Sequence, residues 1–382
     1  MRPSEPVDLS VIIVNYNVAQ HVLGAVASLQ RQKFTALDGD AGRLEIIVID
    51  NASSPEDVAL LQGLPSGVVL VRNERNVGFA AANNQGIARA FGRYLGFLNP
   101  DTTVLDGALD ALLQHLYRHP ETGAVSPRFW ADDERTLLLP PGDPPTLSFL
   151  LGQIIGTAFP VLWERHTRRW HDYALRYWRS QGPLEVPMLP GTCMVTSRTA
   201  VDRVGGFDPA YFLYYEDTDW CRRFRRQGFR LMVVPEAEIV HYYNQSAKLD
   251  PKGAQGHALW SQIRFVKVHY GWPGLVLYRA MRAMSNRVAS WRRPAPAGQV
   301  IDLGRLAASP RFSVRNGVPL HEVMIQIGYT CHFIPSAAAF VRHAEFQLPQ
   351  GVWERMQPGR YYARMIDPET LRPLALWSWE KG

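Results

Sequence analysis

Three carboxylates in four positions, Glu216, Asp217 and Asp219, follow the aromatic run Tyr211-Phe212-Leu213-Tyr214-Tyr215. A carboxylate walled by aromatic rings is harder to ionise than one in water, which tunes it for general-base work. Arg222, Arg223, Arg225 and Arg226 come next, and Gly228 ends the segment. That charge order is a helix with acids at its positive end and bases at its negative end. At 3.6 residues per turn, Asp217 and Asp219 point about 200° apart and cannot share one task. Glu216 and Asp219 fall near one face. One acid can therefore face a cleft while the others serve the helix, with Asp219 pairing to Arg222 or Arg223. For acids at such positions taken alone, the helix-stabilising role is the commoner one.

Other polar residues gather where apolar runs end. Asn15 and Asn17 follow Leu9–Val14, Asp50 and Asn51 follow Leu44–Ile49, and Asn99-Pro100-Asp101 follows Tyr94–Leu98. Asp50 can accept the N–H of a pyrimidine ring, or cap the segment that follows. Asp101 can give an oxygen to a hard divalent cation on a diphosphate, and Asn99 can orient a sugar or a water; a proline turn with an Asx cap explains the same residues. His241, at the end of a late apolar run beside Tyr242 and Tyr243, becomes a metal-ligand candidate only if it lies beside Asp101. In Asn76-Val77-Gly78-Phe79-Ala80-Ala81-Ala82-Asn83-Asn84, small residues open a helix and let a ligand approach its backbone. Asn83 shares a face with Phe79. Gly191-Thr192 offers a permissive main chain to a sugar, or a plain turn.

The elements that must position these residues alternate. Leu9–Val14, Leu44–Ile49, Val68–Val71 and Tyr94–Leu98 read as strands. Val18–Gln30, a segment starting at Ser54-Pro55, Gly78–Phe91 and Asp106–His119 read as helices. Strand–helix alternation predicts an α/β layer around a mostly parallel sheet, which binds ligands at its carboxyl edge. From Phe129 to about Pro187 the pattern loosens, and Thr146–Trp163 reads as a buried or interfacial helix rather than a membrane span. Met188–Ser197, Leu231–Val234 and Ile239–His241 return to strand character. Leu259–Arg293 reads as a basic, aromatic helix, Pro294–Gly298 as a linker, and Val323–Ile327, Phe340–Leu348, Tyr361–Ile366 and Leu374–Trp379 as a small antiparallel β domain.

With 382 residues, 46% hydrophobic and 20% charged, the chain can fold as two domains. A net charge of +6 suits anionic partners, but no basic block reads as a nucleic-acid arm. Cys193, Cys221 and Cys331 are far apart and lack metal-type spacing, as expected of reduced thiols in the cytoplasm.

Taken in order, these stretches resemble the inverting family-2 glycosyltransferases, especially the bacterial rhamnosyltransferase-type branch. The matching pieces are Val11–Asn17, Val48–Ser53, Asn76–Ala80, Leu98–Asp101, Gly191-Thr192, Gly205–Asp208 and Glu216–Trp220. The resemblance implies a GT-A fold over residues 1–245, with a nucleotide-sugar half at 1–128 and an acceptor half at 129–245. A basic helical region and linker (246–298) and a β domain of unknown role (299–382) would follow. It implies that Asp50 contacts the base of a dTDP- or UDP-linked sugar, such as a rhamnose donor. Asp101, with His241, would hold Mg2+ or Mn2+, and Asp217 would be the general base. Glu216 and Asp219 would position the acceptor or steady the helix. Asn15, Asn17, Asn51, Asn76, Gly78, Phe79, Asn83, Asn99, Gly191, Thr192 and Trp220 would line the substrates. The fuller Asp-x-Asp metal motif is halved here, because Asn99 replaces its first acid. The acceptor would be a glycan or lipid-linked glycan. By their composition the aromatic–basic helices suit the inner face of the cytoplasmic membrane, or equally a solvated basic face over core tryptophans. Two rival readings are a sugar nucleotidyltransferase, which would want a Gly-rich basic loop where Asn15-Tyr16-Asn17-Val18 stands, and a non-catalytic carbohydrate binder that kept the fold.

Overall fold

The computed structural model describes residues 6–156, 160–242, 251–289, 299–314, 322–342 and 345–382. Tyr243 and the Pro294–Gly298 linker lie outside them, as do Trp291 and Arg293 of the expected late helix. In chain order the elements are β1 (Leu9–Asn15), α1 (Ala19–Gln30), β2 (Leu44–Asp50), α2 (Pro55–Leu60), β3 (Val69–Arg72), α3 (Phe79–Arg89), β4 (Tyr94–Leu98), β5 (Thr102–Val104), α4 (Ala108–Arg118) and β6 (Thr122–Trp130). Then come α5 (Leu147–Gly156), α6 (Pro160–Trp178), β7 (Leu184–Glu185), β8 (Cys193–Ser197), α7 (Arg198–Val204), α8 (Glu216–Arg226), β9 (Arg230–His241) and α9 (Pro251–Ala289). The rest is β10 (Val300–Leu306), β11 (Arg311–Ser313), β12 (Val323–Gly328), β13 (Ala337–Val341), β14 (Glu345–Gln347), α10 (Gln350–Arg355), β15 (Gly359–Ile366) and β16 (Pro373–Lys381).

One sheet carries the order β3-β2-β1-β4-β8-β6-β9-β5, with β7 on β9. Its β3-β2-β1-β4 portion is parallel, and β8 joins β4 antiparallel. All seven residues of β1 are buried, as a strand covered on both faces must be. Helix starts follow local chemistry: the Ser54 hydroxyl accepts the Asp57 N–H with Pro55 at the first position, and the Ser197 hydroxyl accepts the Ala200 N–H. This is the α/β architecture that the alternation predicts, and it agrees with the GT-A fold that the resemblance implies. The strand expected over Met188–Ser197 begins only at Cys193, because Gly191 is occupied by another contact described below. The two expected late strands are one, β9, running through Pro235. The expected late helix starts earlier, at Pro251, and kinks where Gly271 takes φ 64° ahead of Pro273.

A second sheet, β10-β16-β15-β12-β13, lies in the C-terminal part. It is antiparallel apart from β10, which joins β16 in parallel. The chain forms two compact units. One takes the chain up to Arg128, Gly142–Leu147 and Ser180–Val276; the other takes Phe129–Pro141, Ser148–Arg179 and Leu277–Gly382. Residues 129–141 and 148–179 thus fold with the C-terminal sheet instead of the expected acceptor half. The reason is local. Leu138 exchanges both backbone hydrogen bonds with Ala338, and α6 is tied to the sheet by His171 on Arg364 and Arg179 over the Phe340 ring. The Thr146–Trp163 run divides between α5 and α6. No helix among the described residues is long and apolar enough to cross a membrane.

Candidate active site

All the candidate residues lie in the first unit, and Asn15, Asp50, Asn99 and His241 stand at or just beyond the carboxyl ends of its strands. Asn15 closes β1, and its amide reaches Asp50 Oδ1 (3.0 Å), the Ser53 hydroxyl (3.0 Å) and Asp57 Oδ2 (2.8 Å). Asn17, at φ 57°, accepts the Ser54 N–H, and its own N–H meets the Ser53 hydroxyl. Asp57 also accepts the Ala19 N–H at the start of α1. These asparagines therefore build the floor that holds Asp50, which is 1% exposed, more than they offer themselves to a ligand.

Asn51 does the same for the next loop. Its carbonyl accepts the Val77 N–H and the Asn73 amide, and its own amide reaches Asn76 Oδ1. Asn76 turns back on the Gly78 N–H. Gly78 sits at φ +87°, and a Cβ there would lie 2.7 Å from the Phe212 carbonyl oxygen. Phe79 N–H donates to that same oxygen at 2.7 Å. The start of α3 is thus joined to the aromatic run ahead of α8. Asn83 is 1% exposed with its amide on the Phe79 carbonyl, which makes it an internal brace of α3. Its neighbour Asn84, which the sequence reading passed over, exchanges two hydrogen bonds with the Phe207 backbone and holds the Gly205–Phe207 turn against α3. Nothing beside Asn84 in the sequence signals a partner 123 residues away.

The three acids part company as helical geometry requires. Asp219 is buried and held by Arg223 Nε and His269 Nε2, both at 2.7 Å. Burial pushes its carboxyl up, but the His269 hydrogen bond and the Arg223 charge outweigh that and leave it below the usual range. Glu216 is 5% exposed and its Oε2 has no hydrogen-bond partner among the described residues. Burial, then the neighbouring Asp217 charge, pushes its carboxyl well above the usual range. Asp217 alone of the three is partly exposed. Its Oδ2 accepts the Gly191 N–H at 2.8 Å, and its Oδ1 accepts the Thr218 N–H and hydroxyl at 2.6 and 3.1 Å. Burial raises its pKa, and those donors only partly draw it back. The stretch before it is strained, with Tyr214 and Tyr215 both at φ 66°. Trp220, expected to line the substrates, is instead fully buried among Phe97, Phe207 and Phe224, with its Nε1 on the Gly205 carbonyl, so its side chain packs the core.

Gly191 also receives something other than expected. A Cβ there would lie 3.1 Å from Asp217 Oδ2, so the bare main chain admits the carboxylate. The next residue, Thr192, accepts the Asn99 N–H through its carbonyl at 2.8 Å. Two residues on, Asp101 Oδ1 lies 3.4 Å from His241 Nε2, both side chains buried, because β5 and β9 pair with Thr102 opposite His241. The condition for His241 is met: it lies beside Asp101. No group of three or more acidic, His or Cys side chains that could hold a metal occurs among the described residues. A hard divalent ion on a diphosphate needs only one or two protein donors, so a carboxylate beside an imidazole fits it.

The family model for glycosyl transferase family 2 matches residues 10–205. The N-acetylglucosaminyl-diphospho-decaprenol L-rhamnosyltransferase of Mycobacterium tuberculosis is 29% identical over 280 residues, covering 69% of this chain and 86% of that one. The low-salt glycan biosynthesis hexosyltransferase Agl10 of Haloferax volcanii is 23% identical over 239 residues, covering 61% of this chain and 67% of its own. Among solved structures, GalNAc-T7 with UDP, GalNAc and Mn2+ shares the fold at TM-score 0.50 and 19% identity, over 75% of this chain and 52% of that one.

Proposed function

This chain belongs to glycosyl transferase family 2, in its rhamnosyltransferase-like branch, and from that premise we propose an inverting transfer with Asp217 as the base. The nucleotidyltransferase and non-catalytic readings fall away with the family. The donor is a nucleoside-diphosphate sugar, dTDP- or UDP-linked, with rhamnose as the transferred sugar; the printed activity of the mycobacterial relative supports that choice. The acceptor is a hydroxyl of a glycan or lipid-linked glycan.

One continuous path of contacts supports this reading. Asp217 rests on Gly191, Thr192 bonds Asn99, and Asp101 stands beside His241. The path sets a carboxylate of raised pKa near a pair suited to a cation on a diphosphate. In the reaction, Asp217 takes the proton from the acceptor hydroxyl as that oxygen bonds to the anomeric carbon. The bond from that carbon to the diphosphate oxygen breaks on the opposite face, so the configuration inverts. Asp101 and His241 would hold Mg2+ or Mn2+, which supplies positive charge for the departing diphosphate. Asp50, fixed by Asn15, receives the base of the nucleotide. Asn99, whose side chain makes no hydrogen bond among the described residues, is open to the sugar.

Work at the inner face of the cytoplasmic membrane is supported by α9. Trp260, Val268, Trp272 and Val276 are 51%, 48%, 64% and 63% exposed, and Lys267 lies over the Trp272 ring at 5.0 Å. The reading is tested by a screen of dTDP- and UDP-sugars, with and without divalent cation, comparing the wild type with Asp217→Asn. Transfer at the wild-type rate by the variant removes Asp217 as base. No turnover of any donor by the wild type removes the whole proposal.

A further inference from the structure

The second compact unit holds a cation that no carboxylate among the described residues neutralises. Arg364, on β15, is partly buried between its sheet and α6. Its Nε donates to Gln326 Oε1 at 2.8 Å and its Nη2 to His171 Nε2 at 2.5 Å. Its guanidinium lies 4.5 Å above the Phe333 ring. Those are its contacts among the described residues, and Nη1 bonds to none of them. His171 is a neutral acceptor here: its Nδ1 faces the Thr167 carbonyl at 2.7 Å, and burial, then the Arg364 charge, pushes its pKa down to about 3. Burial lowers Arg364 itself to about 10. Taking a charge out of water without a counter-charge is costly, and an anion placed on the guanidinium would offset that cost.

Unsatisfied polar atoms and aromatic rings continue from this arginine. His332 adjoins Phe333 and feels the Arg364 charge. Trp163 meets His332 edge-on at 4.8 Å and His166 at 5.6 Å. Both the Trp163 Nε1 and the His166 Nε2 are buried without a hydrogen-bond partner among the described residues, and His166 is 7% exposed. A fork of N–H donors, two further unmet polar atoms and several aromatic faces form the donor set of a site for a charged, ring-shaped ligand.

We propose that the second unit binds a sugar bearing an oxyanion, a carboxylate or a phosphate, with the anion on Arg364 and the sugar ring against Trp163 and His332. The site lies apart from the transfer residues and stands whether or not Asp217 is the base. Arginine matches planar carboxylate and phosphate groups in two-point contacts, and either group supplies the missing counter-charge.

The test uses the full chain, 15N-labelled on tryptophan and histidine, titrated with D-glucuronate, glucose 1-phosphate and glucose. Asp101→Ala is used in every arm so that phosphate cannot report from the transfer site. The expected result is a saturable shift of the Trp163 indole N–H and the His332 ring signals with one or both anionic sugars, and none with glucose. Glucuronate alone assigns a carboxylate and glucose 1-phosphate alone a phosphate. Arg364→Gln should weaken the shift at least tenfold, and Arg364→Lys, which keeps the charge if glutamine does not fold, should weaken it less. Absence of a saturable shift with both anions, an equal response to glucose, or unchanged affinity in Arg364→Gln overturns the proposal.

Discussion

The Gly191 amide nitrogen lies 2.8 Å from Asp217 Oδ2, although 26 residues separate them. That hydrogen bond turns a glycine into the seat of the carboxylate. Gly191→Ala would put a Cβ 3.1 Å from Oδ2 and 3.3 Å from the Asp217 Cβ, and helix α8 cannot yield much. We expect kcat to fall about tenfold, roughly 1.4 kcal/mol of lost transition-state stabilisation, with little change in Tm. Steady-state kinetics beside a melting curve checks this; an unchanged kcat would mean that the seat is irrelevant to the base.

Asp217→Asn should lower kcat by about 10²–10⁴, the usual contribution of a positioned base. The wild-type rate should rise with pH along a limb centred above the ordinary carboxylate value of 3.8, because burial raises the Asp217 pKa and only the ionised form accepts a proton. A pH–rate profile with its midpoint at or below that value would contradict the assignment.

Glu216→Gln is expected to stabilise the protein at high pH. The fold raises the Glu216 pKa, so its folded form binds a proton more tightly than the unfolded chain does. The stability it contributes is full below the unfolded pKa and is lost as pH rises through the folded one. Glutamine never ionises, and each pKa unit corresponds to about 1.4 kcal/mol. The variant's Tm minus that of the wild type should therefore be more positive at high pH than at low pH, by on the order of a few degrees. A difference that does not vary with pH would argue that Glu216 ionises freely.

Removing Asp219 should do the opposite. Asp219→Asn leaves Arg223 and His269 without their shared anion, and losing one member of a buried pair costs roughly 3–5 kcal/mol. The wild-type contribution is present above the unfolded pKa of Asp219 and fades as pH falls through the lower folded one. Thermal melts at neutral pH should show the loss clearly, and the gap should narrow in acid. A neutral substitution would mean that the network is not formed in solution.

Asp101→Asn and His241→Ala should each weaken Mn2+ binding at least tenfold, measured by titration calorimetry in the presence of the nucleoside diphosphate. EDTA should abolish transfer by the wild type, and added Mg2+ or Mn2+ should restore it. Full activity in EDTA would remove the metal from the reaction.

Much of the transfer unit is legible in the chain. The buried β-branched run of β1 declares a covered strand, Ser54-Pro55 marks a helix start, and a period of 3.6 separates Asp217 from Asp219 before any coordinates are known. What the chain does not display are partners distant in sequence. Nothing local says that Gly191 receives Asp217, that Phe79 bonds Phe212, or that His269 reaches Asp219. Trp220 shows the opposite failing: its place beside three acids suggests a ligand contact, but its neighbours in space are Phe224 of its own helix and Phe97 and Phe207 from elsewhere in the chain. In the C-terminal part, alternation locates β12, β15 and β16, but the short β11 and the parallel β10 carry too weak a pattern, and residues 148–179 look like acceptor-half helices until their packing on the second sheet is seen.

The hydrogen bond from Phe79 N–H to the Phe212 carbonyl, with bare Gly78 beneath it, also bears on how this enzyme can be recombined. Both partners are main-chain atoms, so the joint does not depend on which side chains stand at 79 or 212. A chimaera that exchanges the first 128 residues with those of a relative keeps the joint as long as a glycine is retained at 78. A library that randomises that position severs it in nearly every member.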